Sequence, residues 1–219
     1  MANRKSGVLW QTVRRLGTAV GTPVKFAAKT GHFKSSLRSK AIDSRGEPLP
    51  WYTFPMIEFL KQRDVSDMRV LEFGGGQSTL WWAAHAASVL CIEEDASWCQ
   101  AIRAQMPANV DLRHVDKADF DQIEKLLSDA GGTFDLVIVD GHLRREATAL
   151  AKGFLSEQAA VILDNAEGYG FQEETSDWPM TRVDFYGFAP GVIRQHCTSL
   201  LCTPGHPFLS PGNPIAVID

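Results

Sequence analysis

Three clusters in the chain hold residue types that could do chemistry. The first is Glu72-Phe73-Gly74-Gly75-Gly76-Gln77-Ser78-Thr79. An apolar run at 68–71 ends there in an acid, three glycines follow, and a helix-compatible run at 80–87 comes next. This describes a buried strand, a turn without side chains and a helix N-terminus. Such a turn lets a ligand approach the backbone, and the helix start offers free N–H groups and a partial positive charge. The second cluster, Asp140-Gly141-His142, follows the apolar run 134–139, and the third, Asp164-Asn165, follows the run 159–163. His142 has the pKa range of a general base.

The dinucleotide fingerprint G-x-G-x-x-G fits the first cluster poorly, because Thr79 stands where its third glycine belongs. Glu72 would also repel a pyrophosphate, whereas it suits a cationic amino-acid ligand. Both points disfavour a nicotinamide-dependent oxidoreductase. Glu93 follows the strand 89–92, where a carboxylate would hold a ribose with two free hydroxyls. Glu94 and Asp95 beside it are expected to face solvent or cap the next helix.

Strands at 68–72, 89–92, 110–115, 134–139 and 159–163 alternate with helical stretches at 80–87, 117–130 and 147–155. That order predicts an α/β fold with a doubly wound, mostly parallel sheet and ligands at the carboxyl ends of the strands. Two last strands, at 196–203 and 214–219, have no helix between them and are expected to be antiparallel. The segment 182–191 reads as a loop or short strand. Ahead of the sheet, Trp51, Tyr52 and Phe54 lead into a helix opened by Pro55; this aromatic cluster could cover a ligand pocket or serve as a hydrophobic staple, with the packing role favoured for Phe54.

The 219 residues fit one such domain plus an extension, and no apolar run approaches the roughly 20 residues of a membrane span. The four cysteines form no C-x-x-C pair, which predicts buried reduced thiols and points to a cytoplasmic location. Residues 1–45 hold ten Lys/Arg and one acid, giving +9, so the remainder carries −13. Val8, Leu9, Trp10, Val13, Leu16 and Val20 predict an amphipathic helix over 7–20, broken up by Gly21, Pro23 and Gly31, with a polar loop at 32–50. A basic arm on an acidic body points to an anionic partner, a membrane surface before nucleic acid. Arg14 and Arg15 interrupt the apolar stretch, so the start is not a secretory signal, though it is Arg-rich and acid-poor like a transit peptide.

From about Trp51 onward the chain resembles the class I S-adenosylmethionine (SAM)-dependent methyltransferases. The resemblance rests on LEFGGGQST, CIEED, FDLVIVDGH, AVILDN and RVDFYGF in that order. It implies a Rossmann-like seven-stranded sheet with an antiparallel C-terminal pair, an extension at 1–45 and a catalytic domain at 46–219. It implies that Glu72, Gly74, Gly76 and Ser78, with Gly75, Gln77 and Thr79 in the same turn, hold the methionine part of SAM. By the same resemblance Glu93 would hold the ribose, Asp116 would lie near the adenine and Asp140 beside the methyl group. Metal-dependent O-methyltransferases of the catechol type imply a further expectation, Mg²⁺ on Asp140, Asp164 and Asn165. They often carry a lysine three residues past the first acid, where this chain has Leu143. The expected reaction is methyl transfer to a hydroxyl of a small molecule or glycan, with Asp140 and His142 as catalytic residues. Arg144, Arg145, Tyr169 and Tyr186 are candidates for contact with an anionic or sugar acceptor, Arg145 and Tyr186 equally for helix surface and core. The alternatives are a propylamine transferase and a non-catalytic nucleotide-binding module tethered by its basic arm.

Overall fold

Apolar runs that alternate between two buried faces build the centre of the molecule. The computed structural model describes residues 2–116 and 119–209, with side chains from Trp10 onward. Five parallel strands form first: β1 (Arg69–Phe73), β2 (Ser88–Glu93), β3 (Val110–His114), β4 (Phe134–Val139) and β5 (Leu155–Asp164). Two more, β6 (Thr181–Phe188) and β7 (Gln195–Cys202), complete a seven-stranded sheet of order β3-β2-β1-β4-β5-β7-β6. β7 runs antiparallel to both β5 and β6.

Successive strand side chains point to opposite faces, and both faces are covered. Val70, Cys91, Leu136, Ile138 and Ile162 pack under α3 (Phe54–Leu60), α4 (Gln77–His85) and α5 (Ala96–Arg103) through Met56, Ile57, Trp82 and Ile102. Leu71, Phe73, Val137, Val139 and Leu163 pack under α6 (Phe120–Asp129), α7 (Arg144–Ala151) and α8 (Phe171–Thr175) through Ile123, Leu127, Ala147 and Phe171. Leu136 and Ile138 are fully buried, and burying such a side chain contributes roughly 1.5–3 kcal/mol. This two-sided burial explains why the strands read as continuous apolar runs. All four cysteines are free and buried.

The antiparallel pair differs from expectation. It is made by β6 and β7, so the segment read as a loop or short strand is a full edge strand, while 214–219 lies outside the described residues. The burial of β6 alternates weakly, and its Gly187 is a packing device: a β-carbon there would sit 2.9 Å from Pro55 Cδ.

The N-terminal segment also departs from expectation. Helix α1 runs unbroken over Ala2–Lys29 through Gly21 and Pro23, and the expected loop begins with α2 (His32–Arg38). A proline costs one helix hydrogen bond, and on an exposed helix water can take the freed carbonyl. Residues after α2 pack into the body: Ala41, Ile42 and Leu49 are buried, and Gly31 (φ +82°) lies so close to the Ile42 carbonyl that no β-carbon would fit. Among the described residues no helix is long and apolar enough to cross a membrane.

Candidate functional site

β1 has β2 on one side and β4 on the other, and the strand order reverses at this point. In open α/β sheets ligands bind in the crevice outside the carboxyl ends at such a reversal. The glycine turn after β1 and Asp140 after β4 meet there. Gly74 has φ +94°, and a β-carbon on it would lie 2.9 Å from the Asp140 carbonyl oxygen. A β-carbon on Gly75 would press on Cys91 Sγ at 3.0 Å and Ile102 Cδ1 at 3.1 Å. The backbone of the turn is thus drawn tight against the ends of β2 and β4. Gly74→Ala should cost about 3 kcal/mol, from a disallowed φ and a backbone that cannot retreat; chemical denaturation with a two-state fit checks this.

Glu72 lies under this turn, fully buried on the face shared with Tyr52 and Trp82. Its Oε2 accepts from Thr79 Oγ1 at 2.5 Å, and Thr79 Oγ1 in turn accepts from the Gly76 amide at 2.9 Å. Its Oε1 is buried without a hydrogen-bond partner. Burial lifts the Glu72 pKa to about 7, against the lowering effect of the Ser78 and Thr79 hydroxyls. The Tyr52 hydroxyl, which accepts from Trp82 Nε1 at 3.2 Å, is pushed up by burial and then by the charge of Glu72. An orphaned carboxylate oxygen in an apolar setting is costly; Glu72 does not itself line the cleft, and reaches it only through the turn residues above it.

Glu93 ends β2, only 5% exposed. Its Oε2 accepts from the Gly75 amide at 2.7 Å and its Oε1 from the Asp95 amide at 2.8 Å. Each carboxylate oxygen keeps a second lone pair, so a vicinal diol can still be held. Asp95 caps α5 through the Ser97 and Trp98 amides, the role expected from its type and place. Trp98 donates to the Gly75 carbonyl at 2.8 Å and leaves about half its surface exposed.

These groups border a cleft of about 480 Å³ lined by residues 74–78, Glu93, Trp98 and Asp140 on one side and Ser39, Lys40 and Trp51 on the other. Its volume is that of a typical ligand site. Trp51 lies at the cleft, one of the two roles open to the aromatic cluster, whereas Ser39 and Lys40 are not marked by the sequence. These two lie in a stretch whose charge reads as tail, and the signal within it is the buried pair Ala41-Ile42. Beside the cleft is a small apolar notch lined by Ile92, Val115, Phe120, Ile123 and Leu143, and Gly141 and His142 border both spaces. At about 30 Å³ the notch has room for water but not for a nucleobase.

His142 and Glu94 both border the cleft as well as the notch. His142 Nδ1 is paired with Glu94 Oε1, and its amide donates to the same oxygen at 3.0 Å. Glu94 is therefore a partner of His142, contrary to the expectation that it faces solvent. Asp116 does not line either space: its side chain is 88% exposed, with His114 Nε2 3.8 Å away.

The expected metal ligands need correction. Asp140, Asp164 and Asn165 do converge, but on the guanidinium of Arg144. Arg144 Nη2 donates to Asp140 Oδ1 at 2.7 Å, Nη1 to Asn165 Oδ1 at 3.2 Å and to the Asp164 carbonyl, and Nε to the Gly141 carbonyl at 2.9 Å. Asp164 Oδ1 accepts from Thr198 Oγ1 at 3.0 Å. A permanent cation thus stands where Mg²⁺ was expected, with its donors committed to the same oxygens, and the residues do not fit a metal. Among the described residues no other cluster of metal-ligating side chains forms. Desolvation lifts Asp140 to about 6, with Arg144 opposing, and lifts Asp164 further, the neighbouring Asp140 charge adding to burial. The other acceptor candidates divide. Arg144 is buried, with the half-exposed Tyr169 ring over it at 4.5 Å; Arg145 pairs with Glu173 and Glu174; and Tyr186 is 64% exposed on the edge strand, not a core residue.

No protein-family model matches the chain, and no curated protein sequence is significantly similar to it. Solved structures are similar in fold. The O-methyltransferase TomG of Streptomyces achromogenes, involved in tomaymycin synthesis and solved with SAM, superposes with a TM-score of 0.53 at 21% identity, over 80% of this chain and 87% of that one. A spermidine synthase in complex with the transition-state analogue AdoDATO gives 0.51 at 13% identity, and the spermidine synthase of Thermotoga maritima 0.50 at 11%. Each covers 69% of this chain, which spans only 57% of the synthase. Strand order, the antiparallel β6–β7 pair and these superpositions agree: the chain has the class I SAM-dependent methyltransferase fold.

Proposed function

We propose that the chain transfers the methyl group of SAM to a hydroxyl oxygen of a small-molecule or glycan acceptor. The observation that carries this reading is the buried, unpartnered oxygen of Glu72 beneath a side-chain-free turn. SAM brings an ammonium and a sulfonium to the turn above Glu72 and a ribose diol to Glu93, with the cleft of about 480 Å³ to hold the nucleoside. Binding and alignment are then the main contribution of the protein, worth roughly 7–11 kcal/mol of barrier when two reactants are well oriented.

In the reaction the acceptor oxygen attacks the methyl carbon as the carbon–sulfur bond breaks, giving a methyl ether and S-adenosylhomocysteine. The acceptor proton goes to Asp140. Its Oδ1 is fixed by Arg144, it borders the cleft, and its pKa of about 6 suits a base at neutral pH. His142, its Nδ1 already paired with Glu94, serves in the cleft as a binding residue instead. His142→Ala should therefore raise the Kd for SAM roughly tenfold, as for one lost contact, while kcat at saturating SAM stays within a few-fold. A large fall in kcat with unchanged Kd would restore it as the base. EDTA should leave turnover unchanged, because Arg144 already occupies the oxygens.

Propylamine transfer shares the fold but fits the site less well. A polyamine needs free carboxylates beyond the sulfur, and here Asp140 and Asp164 face a guanidinium. Incubating the protein with methyl-labelled SAM and pools of hydroxylated small molecules or oligosaccharides tests the reading, with label in an ether product as the supporting result.

A further inference from the structure

We propose that α1 and α2 form an arm that lies on an anionic lipid surface, apolar stripe inward, and holds the cleft at that surface. Every residue of α1 from Trp10 to Phe26 is exposed. Trp10, Val13, Leu16, Val20 and Val24, each between 61% and 65% exposed, follow one another at spacings of three and four. That spacing puts them in one stripe along the helix. The stripe continues into a groove of about 620 Å³ between the two helices, lined by Val24, Ala27, Ala28 and Phe33. Phe33 and Leu37 of α2 are themselves 62% and 74% exposed. An apolar strip of this length is rarely left to water.

Charge decides what covers it. At 100° per residue Arg15, Lys25 and Lys29 fall away from the stripe, while Arg14 flanks it with its guanidinium 5.6 Å from the centre of the Trp10 ring. No acid occurs between residues 10 and 42. The first, Asp43, is occupied within its own loop, where Oδ1 accepts from the amides of Arg45, Gly46 and Glu47. A second copy of the arm would bury the stripe but, with no acid of its own to offer, would leave the cations of both arms unpaired. A nucleic acid would neutralise the cations but leave the stripe in water. An anionic bilayer satisfies both: the stripe enters the acyl boundary, and the long Lys and Arg side chains reach the headgroups. The arm is too charged to cross, so it lies on the surface.

The arm is also joined to the cleft without a linker. α2 ends at Arg38, and the next two residues, Ser39 and Lys40, line the cleft. Docking the arm brings the cleft mouth to the lipid face and favours acceptors borne there. The inference rests on the arm alone and stands or falls independently of methyl transfer.

The test is flotation of the full-length protein with phosphatidylcholine vesicles, with and without phosphatidylglycerol. The protein should float with the anionic vesicles and far less with the neutral ones, and salt should weaken the association. Val13→Glu with Val20→Glu should abolish flotation. Arg14→Gln and Arg15→Gln should each weaken it roughly fivefold. All four sites are exposed, so unchanged thermal unfolding of the variants separates lost docking from lost fold. No flotation with anionic vesicles, or equal flotation with neutral ones, would overturn the proposal. So would a dimer dispersed by the same glutamates, or RNA binding, in a protein that ignores both vesicles.

Discussion

Arg144→Leu is expected to lower the melting temperature by about 10 °C near neutral pH, the equivalent of roughly 3–5 kcal/mol for one partner removed from a buried ion network. The side chain is 10% exposed and ties together Asp140, Asp164, Asn165 and the Gly141 carbonyl. Without it two carboxylates with raised pKa values are left buried beside each other. Their folded-state values already lie above the ordinary carboxylate range. The folded protein therefore binds more protons than the unfolded chain as pH rises from the ordinary range. Stability held below that range is lost as pH climbs through the folded values. Losing the guanidinium raises both values further, so the deficit of the variant should shrink as pH falls through about 6 and the acids take up protons. Thermal unfolding across pH checks this; a deficit independent of pH would mean that Arg144 acts through packing alone. If Asp140 is the base, turnover of the variant should also fall, with its pH profile displaced upward.

Glu72→Gln should separate binding from stability. The affinity for SAM should fall roughly ten- to hundredfold, the range for a charge-assisted hydrogen bond in a dry site. In the wild type, affinity should rise with pH through about 7, because protonated Glu72 offers no charge to a cation; the variant should lose that dependence. Stability moves the other way. Glu72 shifts from an ordinary 4.5 to about 7 on folding, so the stability present below 4.5 is lost as pH rises to 7, amounting to roughly 3 kcal/mol. Glutamine escapes that penalty but leaves an amide N–H unpaired, which costs about 1–3 kcal/mol. A net gain on the order of 1 kcal/mol is expected at pH 8, read by denaturant titration. A variant both less stable and unchanged in affinity would show that Glu72 is structural.

The part of the fold that could be read from residues was the part governed by local pattern. β1, β2, β4 and β5 are apolar runs closed by an acid or a turn and buried on both faces, so composition and placement agree, while β3 is an edge strand in which only Leu112 is buried. β6 escaped notice because an edge strand carries little burial, and its Gly187 resembles a turn residue until its approach to Pro55 is known. The reading of the sequence ends α1 at Gly21 and Pro23 because those residues are penalised in helices on average, and where the helix is exposed the penalty stays local. At the site, Glu72, Glu93 and the glycine turn were legible from their positions around one strand end. The Arg144 hub was not: Asp140, Asp164 and Asn165 look like ligands for any hard cation. Only the fold shows that the chain supplies its own, although the spacing of Arg144 four residues past Asp140 already allowed their pairing. Ser39 and Lys40 come to the cleft by tertiary packing, which no local pattern encodes.

Everything said of the site depends on SAM entering the cleft beneath the glycine turn. Titration calorimetry of the full-length protein with SAM and with S-adenosylhomocysteine is the most direct measurement. The account predicts one site per chain for each nucleoside, with SAM binding tighter as pH rises through about 7 in the wild type and losing that trend in Glu72→Gln. A folded protein that takes up neither nucleoside, or binds both equally well after Glu72→Gln and Glu93→Ala, would contradict it.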